Sequence, residues 1–198
     1  MDYWLVATVI YCALAIISLW STLRAILAPV KLNPGGISFD KTGAFTDEGR
    51  RKLSEHYSRI QGTLGFWKRR AVAYTKFHYY CVYWTIISGW AVPLLGAVIP
   101  LESDTSSKWL LVAISSHVAL ALSFHRGLKV AEGMKAFRLG ESEFYDTYRR
   151  LMDRPDSFGE TEENQITKYF IEVERIRKFI RNAETETMPS ISENAEAK

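Results

Sequence analysis

The most chemically suggestive feature of this 198-residue chain is one histidine with three serines in an otherwise apolar, uncharged stretch: Ser115, Ser116, His117 and Ser123. An imidazole exchanges protons near neutral pH, and hydroxyls on a helix facing other helices either bond to backbone carbonyls or line a water path. Two readings therefore stand. In one, the hydroxyls bond to carbonyls and neighbouring helices while His117 stays neutral and paired. In the other, this face, with Ala113 and Leu120, lines a water path that opens when subunits rearrange. Gly89 and Pro93 have a similar ambiguity, because a proline frees the carbonyl four residues earlier and permits a kink that serves either packing or gating. The densest basic zone combines Lys68, Arg69, Arg70 and Lys76 with Arg126 and Lys129 on a later segment. It suits anionic lipid headgroups or a phosphate-rich ligand.

No catalytic constellation accompanies these residues. The four histidines, His56, His78, His117 and His125, show no metal-ligand spacing, there is no glycine loop to cradle a phosphate, and no acid lies in an apolar run. The sequence thus predicts no metal, no cofactor and no enzyme, with a lipid-modifying enzyme as the remote exception. Cys12 and Cys81 both lie in apolar runs and read as small buried residues. A net charge of +3 argues against a partner of duplex nucleic acid.

The elements that carry these residues follow from the distribution of charge. Tyr3 to Leu23, Phe77 to Leu101 and Trp109 to Phe124 contain no Asp, Glu, Lys or Arg. A helix needs roughly 20 apolar residues to cross a bilayer. The first two runs meet that length; the third is short, with Lys108 and Arg126 placed to reach the headgroups. The aromatic start of the second, Phe77 to Trp84, reads as an interfacial belt. Met1 and Asp2 give the first run an acidic start, so it reads as a retained span and not as a cleaved signal. Of 25 basic residues, all but Lys108 lie in 24–76 or 126–198. Basic flanks stay cytoplasmic, so the N-terminus and the short loop around Lys108 are expected outside and the C-terminus inside.

Outside the apolar runs, Leu53, Tyr57, Ile60, Leu64, Trp67, Ala71 and Tyr74 step by four and three, a heptad seam leading into the second span. Thr46 is its expected N-cap, and Gly62 and Gly65 suggest a kink or a close helix contact. Val130, Met134, Phe137, Glu141, Phe144, Tyr148 and Leu151 repeat the step, with Glu141 the one polar intruder. The expected fold is an all-α membrane protein of three transmembrane helices, two of them continuing into a long cytoplasmic antiparallel helical hairpin, plus a packed C-terminal helix. Its parts are a first span over 1–30, a linker over 31–45, and a unit over 46–182. That unit holds a stalk, spans over about 77–101 and 107–125, a returning helix to 154 and a C-terminal helix over 162–182; a disordered tail occupies 183–198.

Over roughly 46–182 this layout resembles the SLATT family, the two-span effector domains associated with nucleotide-signalled conflict systems of prokaryotes. The likeness rests on Phe66-Trp67-Lys68-Arg69-Arg70, Ala91-Val92-Pro93-Leu94-Leu95-Gly96, Phe137-Arg138, Phe144-Tyr145-Asp146-Thr147-Tyr148-Arg149 and Tyr169-Phe170-Ile171-Glu172-Val173-Glu174. The first span is a departure from the two-span core. The resemblance implies a homo-oligomeric effector of the bacterial inner membrane that permeabilises it during phage infection. Its trigger would be a nucleotide or oligonucleotide signal from a neighbouring nucleotidyltransferase. The rival expectation is a non-conducting anchor that recruits a soluble partner. Ser116, His117, Ser123, Gly89 and Pro93 are the expected pore or gating residues. Lys68, Arg69, Arg70, Arg126 and Lys129 are the expected phosphate or lipid contacts.

Overall fold

The computed structural model describes residues 2–32, 38–99 and 105–187. The chain is all-helical, with no strand among the described residues. Among the described residues five α-helices follow in order: α1 (Tyr3–Leu27), α2 (Asp47–Val98), α3 (Thr105–Gly127), α4 (Val130–Asp153) and α5 (Glu162–Thr187). Single 3-10 turns at Phe39–Lys41 and Pro155–Phe158 precede α2 and α5. Three of the helices, α1, α2 and α3, are long and apolar enough to cross a membrane. The chain divides into two compact units: Met1–Ala28 with Val72–Ala131, and Pro29–Ala71 with Glu132–Thr187. Of the expected outer loop over 100–108, residues 105–108 belong to the first turn of α3; residues 100–104, the middle of the linker over 33–37 and the tail from 188 onward lie outside the described residues. α5 continues to Thr187, so the helix runs past the expected start of the tail at 183.

In the first unit, Asp2 caps α1 by accepting from the Trp4 amide at 3.0 Å. The helix closes at Ala28, whose amide donates to Arg24 at 3.0 Å, just before Pro29, which disfavours helical geometry in the residue preceding it. The core is small: Ala15, Tyr80, Cys81, Leu110, Ile114 and Ala121 are buried. Large apolar side chains such as Ile16, Trp20, Trp90, Leu94, Trp109 and Phe124 are exposed instead. Cys12 is exposed, contrary to expectation, while Cys81 is buried with its thiol 3.6 Å from the Ala121 carbonyl. Tyr80 meets His117 and His78 meets His125, so the contacts between α2 and α3 run in opposite sequence order. The third span does not continue directly into the returning helix. α3 ends at Gly127 and α4 begins at Val130. Lys129 between them has φ of 43°, closed by its amide donating to Arg126 at 3.0 Å.

The second unit has a different interior. The heptad positions Leu53, Ile60, Leu64, Trp67 and Ala71 are buried, as are Phe137, Phe144, Tyr148 and Leu151 of α4 and Ile166, Tyr169, Val173, Ile176 and Ile180 of α5. The stretch expected to be a bare linker takes part in this core. Phe39 and Phe45 are buried, with Phe39 packed 4.6 Å from Tyr148 and 6.1 Å from Tyr169, centroid to centroid. Phe39 and Phe45, the two aromatic residues of that segment, were the available signal. Thr46 caps α2 by accepting from the Gly49 amide at 3.2 Å, and Glu162 holds that cap by accepting from the Thr46 hydroxyl at 2.7 Å and amide at 3.1 Å.

Glycine positions differ from expectation. A methyl group at Gly62 or Gly65 would meet nothing within 4 Å, so neither is a close helix contact. The close approach is at Gly140, where a Cβ would lie 1.8 Å from Ile180 Cδ1 and 2.6 Å from its Cγ1. Ile180 is itself buried and cannot swing into solvent. In thermal unfolding followed by circular dichroism in detergent, Gly140→Ala is expected to destabilise by about 1–3 kcal/mol through overpacking. Gly62→Ala and Gly65→Ala should each stabilise by up to about 1 kcal/mol through helix propensity. Equal effects at all three positions would show that α4 and α5 do not approach as described.

Candidate functional site around His117

His117 lies near the middle of α3 and has a partner at each ring nitrogen. Nδ1 is 2.7 Å from the Tyr11 hydroxyl on α1, and Nε2 is 2.7 Å from the Tyr80 hydroxyl on α2. A neutral imidazole has one N–H and one bare nitrogen. One phenol therefore donates to the ring and the other accepts from it, and both bonds can be made with no net charge. Trp84 meets the ring edge-on at 5.1 Å, and its indole N–H donates to Ser18 of α1 at 3.0 Å. The Tyr80 hydroxyl lies 3.5 Å from the Ala15 carbonyl. All three helices of the unit thus converge on one side chain.

The other expected residues of this group are spread around it. Ser116 is exposed and lines a groove of about 840 Å³ whose polar residues are Asp2, Thr8, Thr105, Ser106 and Ser116. Ser123 is exposed and bonds along its own helix, donating to Ala119 at 2.8 Å. Gly89 and Pro93 are exposed on α2, which continues through both to Val98. His117 and Ser116 thus sit at one level of α3, and Gly89 and Pro93 lie on α2 beyond Tyr80 and Trp84, which meet the His117 ring. Sequence reasoning missed Tyr11, Tyr80, Trp84 and Ser18, because the partners are 37 to 106 residues apart in the chain. It also missed the pairing of His78 with His125, whose Nδ1 and Nε2 atoms are 2.8 Å apart. Among the described residues no group of three or more His, Cys, Asp or Glu is placed to hold a metal ion.

The expected basic residues divide between the units. Lys68, Arg69 and Arg70 belong to one and Arg126 and Lys129 to the other. Lys68 is half-buried and pairs at 3.6 Å with Glu141, which explains the polar intruder in the returning seam. The Arg70 guanidinium lies 5.2 Å over the Phe66 ring. Arg69, Arg126 and Lys129 are exposed. In the same unit as Lys68, His56 stacks on Phe170 with centroids 4.1 Å apart. Burial, reinforced by the charges of Arg59 and Arg177, lowers its pKa from 6.5 to about 4.

Comparison with family models, curated proteins and solved structures returns no match to the chain.

The depressed pKa of His56 sets a pH dependence. Its folded value lies below its unfolded one, so between pH 6.5 and about 4 the unfolded chain binds a proton that the folded chain does not. Stability must fall as the pH drops through that window. Discounted for the exposed part of the ring, the loss between pH 7 and 5 is roughly 1 kcal/mol. His56→Phe keeps the stacking surface without the titration, and is expected to remove that difference in denaturant midpoints at the two pH values. An unchanged pH dependence in the variant would assign it to other groups.

Proposed function

We propose that the chain is a homo-oligomeric effector of the bacterial inner membrane that makes the membrane leaky on receipt of a signal. In this reading α1, the later part of α2, and α3 span the bilayer, with the N-terminus outside. The stalk hairpin and the C-terminal helix lie in the cytoplasm and receive the signal. The observation that carries the reading is the placement of hydrogen-bonded polar and ionisable side chains, with His117 at their centre, within helices whose outward faces are apolar. Ionisable groups at membrane depth are expensive to keep, and by default they are suspects for ion and proton pathways. Three helices cannot by themselves enclose a channel wide enough for a dye, so the form that releases dye requires several copies.

The resemblance to SLATT effectors supplies the biological setting. The trigger would be a nucleotide or oligonucleotide made by a neighbouring nucleotidyltransferase during phage infection, and the outcome abortive infection. Lys68, Arg69, Arg70, Arg126 and Lys129 supply the chemistry for a phosphate-bearing ligand or for lipid headgroups. Ser116, His117 and Ser123 contribute polar surface to the leak, and Gly89 with Pro93 the place where α2 bends.

A second reading, a non-conducting membrane anchor, is favoured by one specific observation. Both His117 nitrogens are satisfied within the subunit, as expected of a side chain that holds helices together. The two readings separate in vesicles loaded with carboxyfluorescein and reconstituted with the full chain. A leaking effector releases the dye when activated, and Ser116→Leu with His117→Leu is expected to cut release at least tenfold. Protein that inserts but releases no dye with any cyclic or linear oligonucleotide tried would leave the anchor as the surviving reading.

A further inference from the structure

Three of the four histidines of the chain lie in the first unit, and each meets another ring able to exchange a proton. His117 sits between the hydroxyls of Tyr11 and Tyr80, and His78 meets His125. A helix glue needs only a donor and an acceptor at the right distance, which an amide or a serine provides. The chain instead places an imidazole between two phenols, the combination in which every member both gives and accepts a proton.

We propose that the bundle of α1, α2 and α3 is a proton path in which His117 passes protons between Tyr11 and Tyr80. The inference rests on the reading of these helices as membrane-spanning, and it names the species that crosses. Each transfer is balanced without a co-reactant. A proton arrives on the oxygen of the phenol that donates to the ring, and that phenol's own O–H proton moves to the bare imidazole nitrogen. The N–H proton on the opposite side of the ring passes to the second phenol, whose original proton leaves. One proton enters and one departs, and the imidazole is left neutral in its other tautomer. Rotation of the hydroxyls and a half-turn of the imidazole ring about its Cβ–Cγ bond reset the chain.

Access on one side is provided by the groove beside Ser116. Its volume of about 840 Å³ leaves ample room for several waters at about 30 Å³ each. Asp2, Thr8, Thr105, Ser106 and Ser116 supply groups to hold them. On the other side Leu19 and Phe77 pack against Tyr80 and Ala121 and form an apolar layer. Ala121 lies one turn beyond His117 on α3 and His125 one turn beyond that, so each step is about 6 Å along the axis. The two steps leave about 12 Å of axis between His117 and His125; the apolar layer within it excludes hydrated ions, and a transient file of waters across it carries a proton to the His78–His125 pair. No side chain with a fixed charge lies between these stations on α3.

The test uses the full-length protein in vesicles of phosphatidylethanolamine and phosphatidylglycerol, loaded either with pyranine or with carboxyfluorescein. A potassium gradient with valinomycin drives protons inward. Wild-type vesicles are expected to acidify at least tenfold faster than protein-free ones. His117→Gln keeps one donor and one acceptor for the two phenols but cannot pass a proton by changing tautomer. It should reduce the rate at least tenfold while its melting midpoint stays within a few degrees of wild type. Tyr11→Phe, which removes a single oxygen, should slow the flux similarly and serves if the glutamine variant does not fold. Glutamine and phenylalanine variants that conduct as wild type, or wild-type vesicles no faster than empty ones, overturn the relay. The dye arm keeps the two readings apart. Dye release with His117-independent proton flux removes the relay and leaves the leaking effector, and His117-dependent proton flux without dye release does the reverse.

Discussion

A polar group buried away from water must find its hydrogen bonds inside the protein, and in helices as apolar as α1 and α3 that requirement decides the arrangement. An imidazole left with one unpaired nitrogen in a dry interior costs several kcal/mol by order of magnitude. A single bond between helices in an apolar medium contributes only about 0.6–2 kcal/mol. The cost of failing to pair therefore outweighs the gain of any one bond. That asymmetry holds Tyr11 and Tyr80 on opposite nitrogens of His117. Four further hydroxyls meet the same requirement along their own helices. Thr8, Ser18, Thr85 and Ser123 each bond to a carbonyl three or four residues back. The first helix is accordingly a structural partner of the other two and not a detachable anchor, since without it His117 and Trp84 both lose a hydrogen-bond partner.

The other unit obeys the opposite rule. Its interior is apolar and aromatic, with Phe39, Phe144, Phe158 and Tyr169 buried among leucines and isoleucines, and its charged groups lie toward the rim. Burial of apolar area stabilises such a core, at roughly 25 cal/mol per Å². Polar contacts set its registry. Glu162 ties the start of α5 to the start of α2 through Thr46, and Arg150 pairs with Glu172 while lying over Phe158. Gly49 and Gly140 matter here for lack of volume, because a Cβ at either would collide with the neighbouring helix. α2 and α4 have residues in both units.

Periodicity and charge were legible because they are local. The charge-free runs gave the three long apolar helices, and the steps of four and three gave the buried faces of α2 and α4 from Leu53 to Ala71 and from Val130 to Leu151. Thr46 was readable as a cap from its residue type and the acids that follow it. What escaped depends on partners distant in sequence. Nothing near Tyr11 shows that it meets a residue on α3, and nothing near His78 points to His125. The close approach at Gly140 looked no different from the open surroundings of Gly62 and Gly65, since glycine in a helix records a lack of volume but not what fills the space. The break after Gly127 was hidden for another reason. Lys129 takes a left-handed conformation that an L-residue adopts at a cost of about 1–2 kcal/mol, and lysine gives no sign of it.

The composition of the His117 cluster bears on whether it only fastens helices. Fastening α3 to α1 and α2 could be done at each neighbour by a backbone carbonyl, as Tyr80 does with Ala15 and Cys81 with Ala121. Backbone carbonyls accept but never exchange, and they need no particular side chain opposite. At His117 the chain forgoes them for two phenols, each of which can reverse its role from donor to acceptor by rotating about one bond. The imidazole can reverse as well, by taking a proton at one nitrogen while releasing one at the other, or by turning over. A cluster whose three members can each take two hydrogen-bonding states is less well determined than one built on carbonyls, which is a disadvantage for packing alone. The same degeneracy is what proton transfer requires, since each group must be returned to its starting state before the next proton arrives.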